Sequence, residues 1–296
     1  MHKILSFYEF CDLSLDKVEN NRSKIFNTSK NDSILGTVIL STEGINGTVS
    51  GPSNSIDKLN NLLKDLGYNC NTKVSESQKK PFKRLKVKIQ KEIVTFMDLG
   101  KSAKNTGTFI SPEDWDDFIS NEDVKLIDVR NFYETVIGKF PKSIDPNTQT
   151  FTDFINYIDE NLSVDKNQKI AMYCTGGIRC EKASSYMKDI GFKNVFQLEG
   201  GIINYLNSVE KENGSWDGEC FVFDERVSLI YNSEVGNFEL CHGCRNPIDN
   251  DDKKSIYFEE GVSCPNCINV RSNEQNEKSR QRQAQIIFTR NRKEKL

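Results

Sequence analysis

One short stretch of the chain places a thiol, two glycines and an arginine between an apolar run and a helical pattern. Residues 173–182 read YCTGGIRCEK, in which Cys174 ends the apolar run and Arg179 lies five positions later. The loop between them consists of Thr175, Gly176, Gly177 and Ile178. Two glycines let the backbone curl so that its N–H groups point inward, and this nest, the helix dipole and Arg179 each stabilise an anion. The stretch therefore predicts a lowered pKa and a reactive thiolate at Cys174.

The spacing of this loop also limits the chemistry that it can support. A phosphate-holding loop of the phosphatase kind is one residue longer between its cysteine and its arginine, so the smaller ring favours a sulfur atom carried on Cys174. A reactive Cys174 should be reachable from solvent and face inward-pointing amides, and a buried structural thiol is the alternative. Cys180 either resolves an oxidised or persulfidated Cys174 or only packs in the core.

Composition and charge limit the classes of protein to which this chain can belong. The chain has 296 residues, 36% of them hydrophobic and 28% charged, as expected for a soluble globular protein of about two domains. The apolar runs are too short to span a membrane and the first residues lack a secretory pattern, so we expect a cytoplasmic protein. The nine cysteines should then be reduced, which favours metal binding or catalysis over disulfides. A net charge of −3 excludes a globally basic nucleic-acid binder but not a local basic face.

Residues 1–97 show strand and helix patterns in the order βαββαβ. Strand patterns cover KILSFYEF, the two halves of TVILSTEGINGTVSG, and RLKVKIQKEIVTF. Helical patterns cover residues 14–28, with Ser14 as the expected cap, and SNSIDKLNNLLKDLG, which ends at Gly67. This order predicts an α+β domain of the ferredoxin-like, or acylphosphatase-like, type.

Residues 98–110 are predicted to be a linker, and residues 111–212 alternate between strands and helices. Ser111 and Pro112 open a helix, and KLIDV, IAMYC and NVFQLEGG read as buried strands with helical patterns between them. This alternation predicts an α/β domain with a parallel sheet. The Cys174 loop then lies between the carboxyl end of a strand and a helix that begins at Glu181, where such sheets usually bind ligands.

Two cysteine pairs follow in residues 216–270. Their members are Cys241, Cys244, Cys264 and Cys267. Two Cys-x2-Cys knuckles at this separation are typical of a tetrahedral zinc site, and four thiolates leave no open position, so they predict one structural zinc per chain. Reduced pairs without metal, or disulfides formed in air, are the alternative, and His242 is expected to be a bystander. Residues 271–296 form a basic tail, predicted to be either a solvated helix or disordered.

The active loop resembles that of the rhodanese superfamily. The string LIDVRNFYE, residues 126–134, strengthens the likeness, because an Asp-x-Arg after the first buried strand is typical of the rhodanese domain. The resemblance implies a rhodanese-like central domain. It also implies that Asp128 and Arg130 brace the loop and perform no chemistry themselves.

Five separated motifs narrow the resemblance to the rhodanese-domain family of tRNA uridine-34 hydroxylases. They are EGINGTVSG, PFKRLKVKIQKEIV, YCTGGIRCEKA, QLEGGIINYL and GECFVFDERV. The resemblance covers nearly the whole chain and implies an oxygen-dependent conversion of the wobble uridine of tRNA to 5-hydroxyuridine. It implies Cys174 as an essential persulfide carrier, molecular oxygen as co-substrate, the tRNA anticodon loop as partner, and an electron donor of unknown identity.

The residues themselves add two constraints. The sequence has no Gly-x-Gly-x-x-Gly and two histidines, so it shows no flavin, haem, nicotinamide or non-haem iron site. Residues 79–91 form a basic strand pattern that reads by itself as the solvated face of a sheet. With the resemblance, it is predicted to contact RNA phosphates through Lys83, Arg84, Lys86 and Lys88.

The main alternative is a rhodanese-type sulfurtransferase that carries a persulfide on Cys174. The loop alone does not separate the two activities. The flanking domains favour the hydroxylase, because a simple sulfurtransferase needs neither a ferredoxin-like domain nor a zinc module. A non-catalytic scaffold conflicts with the intact Cys-x4-Arg loop, and the sequence leaves the oligomeric state open.

Overall fold

The computed structural model describes residues 1–96, 103–162 and 165–293. The N-terminal domain is a five-stranded sheet with two helices on one face. The strand order is β4-β1-β3-β2-β5, with β5 parallel to β2 and the other neighbours antiparallel. The elements are β1 (His2–Phe10), α1 (Leu15–Asn31), β2 (Leu35–Ser41), β3 (Gly44–Gly51), α2 (Ser53–Asp65), β4 (Asn71–Ser77) and β5 (Leu85–Ile89). The predicted ferredoxin-like domain is confirmed.

The last strand of the βαββαβ unit differs from the prediction. The strand that pairs with β1 is β4, whereas residues 84–96 contribute β5, a fifth strand at the opposite edge of the sheet. The sequence of β4 is NTKVSES, and its apolar member, Val74, is 53% exposed. An edge strand of this kind shows no alternation of apolar and polar residues, so its pattern is invisible in the sequence.

The two faces of this sheet have different surroundings. Leu5 and Phe7 pack into the core beneath the two helices. Successive side chains of a strand point to opposite faces, and Ser6, Tyr8 and Lys73 accordingly border a cavity on the other side. That side of the sheet faces the central domain.

The central domain is a parallel four-stranded sheet in the order β6-β10-β9-β7. Helices α5 and α6 pack on one face around Phe154 and Met187, and α3 and α7 pack on the other around Trp115 and Tyr205. The elements are β6 (Thr108–Ile110), α3 (Pro112–Ser120), β7 (Val124–Asp128), α4 (Phe132–Thr135), β8 (Gly138–Lys139), α5 (Asp153–Asn161), β9 (Lys169–Tyr173), α6 (Ile178–Asp189), β10 (Val195–Leu198) and α7 (Gly201–Ser208). This confirms the predicted α/β domain with a parallel sheet.

Two boundaries of the central domain differ from the prediction. The predicted linker 98–110 begins outside the described residues, but its last three residues form β6, which pairs with β10. Three residues are too few for an alternating pattern to show in a sequence. Helix α6 begins at Ile178 rather than at Glu181, because Gly177, with a φ of 101°, serves as its N-cap. Arg179 therefore belongs to the first helical turn.

The C-terminal part consists of short paired strands around the cysteines and one long helix. Its elements are β11 (Asp217–Gly218), β12 (Cys220–Phe221), β13 (Ser228–Leu229), β14 (Glu239–Leu240), β15 (Pro247–Ile248) and α8 (Asn273–Lys293). Of the two alternatives for the basic tail, the structure has the helix, while residues 294–296 lie outside the described ranges. Arg280 ties α8 to Glu259 through two hydrogen bonds of 2.7 and 2.6 Å. Within the described ranges, none of the helices combines the length and the apolar character that crossing a lipid bilayer requires.

A buried ion cluster joins the N-terminal and central domains. The Nζ atom of Lys182 on α6 lies 2.9 Å from Glu43 Oε1, 2.6 Å from Glu92 Oε1 and 3.0 Å from the carbonyl oxygen of Val94. All three charged side chains are buried, so one ammonium group faces two carboxylates away from water. Glu43 belongs to the EGINGTVSG motif, and this contact gives that residue a structural role.

Replacing Lys182 by methionine leaves Glu43 and Glu92 buried without their counter-charge. We expect Lys182→Met to lower the free energy of unfolding by about 3–5 kcal/mol, as in other buried ion pairs that lose one partner. Lys58→Met is the matched control, because Lys58 makes an exposed ion pair with Asp32 and its loss should cost less than about 1 kcal/mol. Urea denaturation measures both values, and equal losses in the two variants would contradict the role given to Lys182.

Candidate active site

The Cys174 loop lies where β9 ends and α6 begins. Gly177 has a φ of 101°, in the left-handed region that favours glycine. In this conformation its N–H donates a hydrogen bond of 3.1 Å to Cys174 Sγ. An amide of the loop therefore points at the sulfur, which is the arrangement that two glycines permit.

A second glycine turn supports the loop from the side of α7. The N–H of Ile202 donates to the Cys174 carbonyl at 3.0 Å, and the next amide donates to the Thr175 carbonyl at 3.1 Å. A Cβ atom on Gly201 would lie 2.5 Å from the Cys174 carbonyl oxygen and 2.8 Å from the Gly177 nitrogen, closer than real Cβ atoms approach. Through the motif QLEGGIINYL, the first amides of α7 thus bind two carbonyl groups of the Cys174 loop.

The surroundings of Cys174 favour its ionised form. Burial alone would raise the pKa of the thiol, but a hydrogen bond from the Cys180 thiol, the charge of Arg179 and the amides of Cys180 and Gly177 lower that pKa to about 5. Burial and the adjacent Cys174 raise the pKa of Cys180 well above its usual range. Cys174 is therefore a thiolate at neutral pH, and Cys180 is a protonated donor beside it.

Arg179 is held by a carboxylate that sequence reasoning did not single out. Its Nη1 atom lies 2.6 Å from Glu134 Oε2, and its Nη2 atom lies 2.7 Å from Glu134 Oε1 and 3.1 Å from Thr175 Oγ1. Both members of this forked pair are buried. Burial would raise the pKa of Glu134, but Arg179 lowers it. Arg179 thus fixes the loop against α4 in addition to placing charge near Cys174.

Asp128 and Arg130 brace the turn that carries Glu134. Arg130 Nη2 lies 2.6 Å from Asp128 Oδ2, and its other contacts reach the carbonyl oxygens of Glu134 at 3.2 Å and Gly138 at 2.6 Å. The Glu134 carboxylate also accepts from the Asn131 N–H at 3.1 Å. The spacing Asn-x-x-Glu at the start of a helix is a capping signal, so this much of the role of Glu134 was visible in the sequence.

Two side chains of the N-terminal domain reach the same loop. Lys73 Nζ donates to the Gly176 carbonyl at 2.6 Å, and Tyr8 Oη donates to Glu181 Oε1 at 2.7 Å. A Cβ atom on Gly177 would lie 2.8 Å from Tyr8 Oη. Sequence reasoning missed Tyr8 and Lys73, because they lie 173 and 103 positions from these partners along the chain.

Cys174 has no exposed surface, so the expectation that it is reachable from solvent is wrong. A cavity of about 820 Å³ between the N-terminal and central domains, here called the interdomain cavity, borders the loop instead. The lining next to the loop includes Tyr8, Lys73, Thr175, Gly176, Ile178 and Arg179. A molecule in this cavity therefore meets the loop first, and contact with the sulfur requires that loop residues move aside.

A second cavity, of about 850 Å³, extends from β5 to the cysteine-rich part and is here called the basic groove. Its cationic lining consists of Lys83, Arg84, Lys86, Arg245 and Arg282, and its acidic lining of Asp224 and Glu225. Glu225 forms an ion pair of 2.8 Å with Lys83, so the groove carries more positive than negative side chains but not positive ones alone. Three of the four predicted RNA-binding residues thus share one groove with two arginines of the C-terminal part. Lys88, exposed on β5, is outside the lining that the described residues form.

Three aromatic rings connect the two cavities. Phe82, Tyr133 and Phe223 line both the interdomain cavity and the basic groove. Phe223 is 64% exposed, so its ring is accessible to a bound molecule. The aromatic rings therefore stand between a cationic surface and the Cys174 loop.

The four cysteines of the two knuckles converge in space. Their Sγ atoms all lie within 4.8 Å of one another. The separations are 4.0 Å for Cys241 and Cys267, 3.7 Å for Cys244 and Cys264, and 3.8 Å for Cys264 and Cys267. A tetrahedron with Zn–S bonds of about 2.3 Å has edges of about 3.8 Å. The cluster could therefore hold a metal ion, and its four sulfur donors and its dimensions fit zinc in a closed, structural site.

Comparisons with known proteins cover most of the chain. Residues 2–93 match the family model of the UPF0176 acylphosphatase like domain, and residues 111–208 match that of the rhodanese-like domain. A tRNA uridine(34) hydroxylase of Picosynechococcus sp. is 47% identical over 90% of this chain and 89% of its own length. Proteins of the same name are 43% identical in Agrobacterium fabrum, over 99% of this chain and 93% of theirs, and in Teredinibacter turnerae, over 96% and 88%.

Metal analysis tests the cysteine cluster. We expect the purified protein to contain about one zinc ion per chain, and we expect a chelator that removes it to lower the temperature of thermal unfolding, because metal binding is coupled to folding in such modules. Cys264→Ser should lose the metal, whereas Cys11→Ser, in the N-terminal domain, should retain it. Protein that is purified under reducing conditions without metal, and whose four cluster thiols react freely, would contradict a zinc site.

Proposed function

Because the chain belongs to the tRNA uridine(34) hydroxylase family, we propose that it converts uridine 34, the wobble nucleoside of tRNA, to 5-hydroxyuridine. The reaction makes the protein an oxidoreductase with molecular oxygen as co-substrate. One oxygen atom enters the base and the other leaves as water, so a donor of unknown identity supplies two electrons and two protons. The cytoplasm, where tRNA is processed, is the compartment that this activity calls for.

The observation that best supports the proposal is a thiolate buried directly behind the loop that lines a cavity between two domains. Cys174 is ionised at neutral pH and receives the Gly177 amide. The interdomain cavity of about 820 Å³ is large enough for a nucleotide, and its wall includes the loop that covers the sulfur. The Agrobacterium relative matches 99% of this chain, so the match includes both domains and the C-terminal residues that line the cavity.

In the proposed mechanism, Cys174 acts as a nucleophile toward the base. The thiolate adds to C6 of the uracil, and the electron pair of the C5–C6 double bond moves to C5 and the adjacent carbonyl. C5 then takes up an oxygen atom from the activated oxygen species, and loss of the C5 proton re-forms the double bond and expels the thiolate. The groups that lower the pKa of Cys174 also make this sulfur a good leaving group.

The aromatic rings are suited to an unpaired base. Bases of single-stranded RNA loops can be splayed out and stacked on aromatic side chains. Phe82, Tyr133 and Phe223 stand where the basic groove meets the interdomain cavity. In the proposed complex the wobble base enters the cavity and these rings stack on it or on its neighbours in the anticodon loop.

The basic groove is the proposed path of the RNA backbone. Lys83, Arg84 and Lys86 line it on one side, with Lys88 next along β5. Arg245 of the cysteine-rich part and Arg282 of α8 also line it. Phosphate contacts of this kind position an RNA without reading its bases, so they orient the anticodon loop toward the cavity.

Removing the nucleophile tests the activity. In cells that lack the gene, we expect Cys174→Ala to restore no 5-hydroxyuridine in tRNA, as measured by nucleoside mass spectrometry. Cys11→Ala is the control and should restore the wild-type level, because burial raises the pKa of that thiol to about 11 and leaves it unreactive.

Two results would contradict the proposed function. Cys174→Ala that still yields 5-hydroxyuridine would remove the thiolate from the mechanism. Wild-type protein that transfers sulfur from thiosulfate through Cys174, and whose gene leaves tRNA nucleosides unchanged, would identify the chain as a sulfurtransferase.

The salt dependence of tRNA binding tests the basic groove. Each phosphate contact contributes about 0.7–0.9 to the slope of log affinity against log salt concentration, so Lys86→Ala should make the slope shallower by about that amount. Lys24→Ala, on the exposed surface of α1, should leave it unchanged. An unaltered slope for Lys86→Ala would exclude this side chain from the interface.

A further inference from the structure

We propose that Lys73, on β4 of the N-terminal domain, is a positioning residue for Cys174 and acts through the single peptide unit that joins Gly176 to Gly177. The inference rests on the proposed function in that it takes Cys174 as the reacting group. It gives the N-terminal domain a part in preparing the thiolate, separate from any contact with RNA.

The peptide unit between the two glycines is hydrogen-bonded at both ends. Lys73 Nζ donates to its carbonyl at 2.6 Å, and its N–H donates to Cys174 Sγ at 3.1 Å. The unit is trans, like the other peptide bonds in the described part of the chain, so its C=O and N–H point in opposite directions. Holding the carbonyl toward Lys73 therefore aims the N–H at the sulfur.

This orientation needs an external contact because both neighbouring residues are glycines. Neither Gly176 nor Gly177 has a Cβ atom that restricts its dihedral angles, and a peptide unit between glycines rotates at little steric cost. A hydrogen bond from an ammonium group is about twice as strong as one between neutral groups. The same contact polarises the peptide and makes its N–H a better donor. Lys73 thus selects the orientation in which the amide stabilises a negative sulfur.

The charges around the sulfur come from both domains. Tyr8 and Lys73 belong to the N-terminal domain, and the ionisable groups of the central domain that interact with the sulfur are Arg179, Cys180 and Glu181. Glu134 acts on Arg179, and Asp128 acts on Cys180. Burial lowers the pKa of Lys73 to about 8, although the charges of Cys174 and Glu181 oppose this. Lys73 is therefore cationic at neutral pH, and its hold on the loop weakens as the pH rises through about 8.

The arrangement couples the thiolate to the contact between domains. Glu181, on the helix that follows the loop, accepts from Tyr8, and the buried Lys182 cluster lies next to it in the chain. These contacts hold β4 at the distance that Lys73 needs to reach Gly176. The N-terminal domain thereby controls the proton affinity of a cysteine that it does not contain.

The test is the pH titration of the Cys174 thiolate, followed by its ultraviolet absorbance as the difference from Cys174→Ser. We expect a midpoint near pH 5 for the wild-type protein. Lys73→Met should raise this midpoint by about one pH unit, because a counter-charge is lost together with the preferred amide orientation. Lys73→Arg keeps a charged donor and should restore most of the wild-type value.

A second lysine at the domain boundary is the matched control. Lys104 makes an ion pair of 2.6 Å with Asp12 of the N-terminal domain, and both side chains are exposed. Lys104→Met should leave the midpoint unchanged. An equal rise in Lys104→Met would assign the effect to the domain contact in general and overturn the proposal.

Thermal unfolding of each variant shows whether the domains stay folded. If Lys73→Met does not fold, Lys73→Gln, which keeps a neutral donor, takes its place and should give a smaller rise. A wild-type midpoint in a folded Lys73 variant without a charge overturns the proposal. The titration needs neither RNA nor turnover, so its outcome is separate from that of the hydroxylase assay.

Discussion

The site depends on one constraint, which is that a negative sulfur inside a protein must be compensated by donors and charges in direct reach. Withdrawal from water favours the neutral thiol, and burial pushes the pKa of Cys174 upward. The Cys180 thiol, the Arg179 charge and two backbone amides reverse this effect. Arg179 also forms an ion pair with Glu134, so its positive charge compensates only part of the negative charge on the sulfur. The remainder comes from hydrogen bonds whose geometry the glycines permit.

Motifs that are far apart in the sequence serve this constraint together. The motif LIDVRNFYE contains Glu134, the carboxylate that fixes Arg179. The motif QLEGGIINYL contains Gly201, which lies so close to the Cys174 loop that a Cβ atom there would clash with it. The motif GECFVFDERV contains a second Asp-x-Arg ion pair, in which Arg226 Nε lies 2.9 Å from Asp224 Oδ1. The same arginine also contacts β4, because its Nη1 atom lies 3.1 Å from Ser75 Oγ. Buried charges of this kind are stable only in satisfied sets, and each set here joins two separate segments of the chain.

Local chemistry could be predicted from the sequence, and long-range geometry could not. The anion-stabilising loop and the cysteine knuckles depend on residues a few positions apart, so their spacing carried the information. Glu134 sits in a short capping pattern, but nothing local indicates that its partner is Arg179. Tyr8 and Lys73 come from β1 and β4 and meet the loop only in the folded chain. The burial of Cys174 escaped prediction for the same reason, because the elements that surround its loop come from distant segments.

Both strands that carry Tyr8 and Lys73, β1 and β4, precede Cys174 in the chain, and this order has a consequence for folding during synthesis. The chain leaves the ribosome N-terminus first, and domains generally fold as units in that order. The face that bears Tyr8 and Lys73 is therefore complete about a hundred residues before Cys174 is made. Arg179, Cys180 and the loop amides, which lower the pKa of Cys174, surround the sulfur only once the central domain has folded. Until then Cys174 has the thiol pKa of an unfolded chain, so the reactive thiolate is a product of folding and not of the cysteine alone.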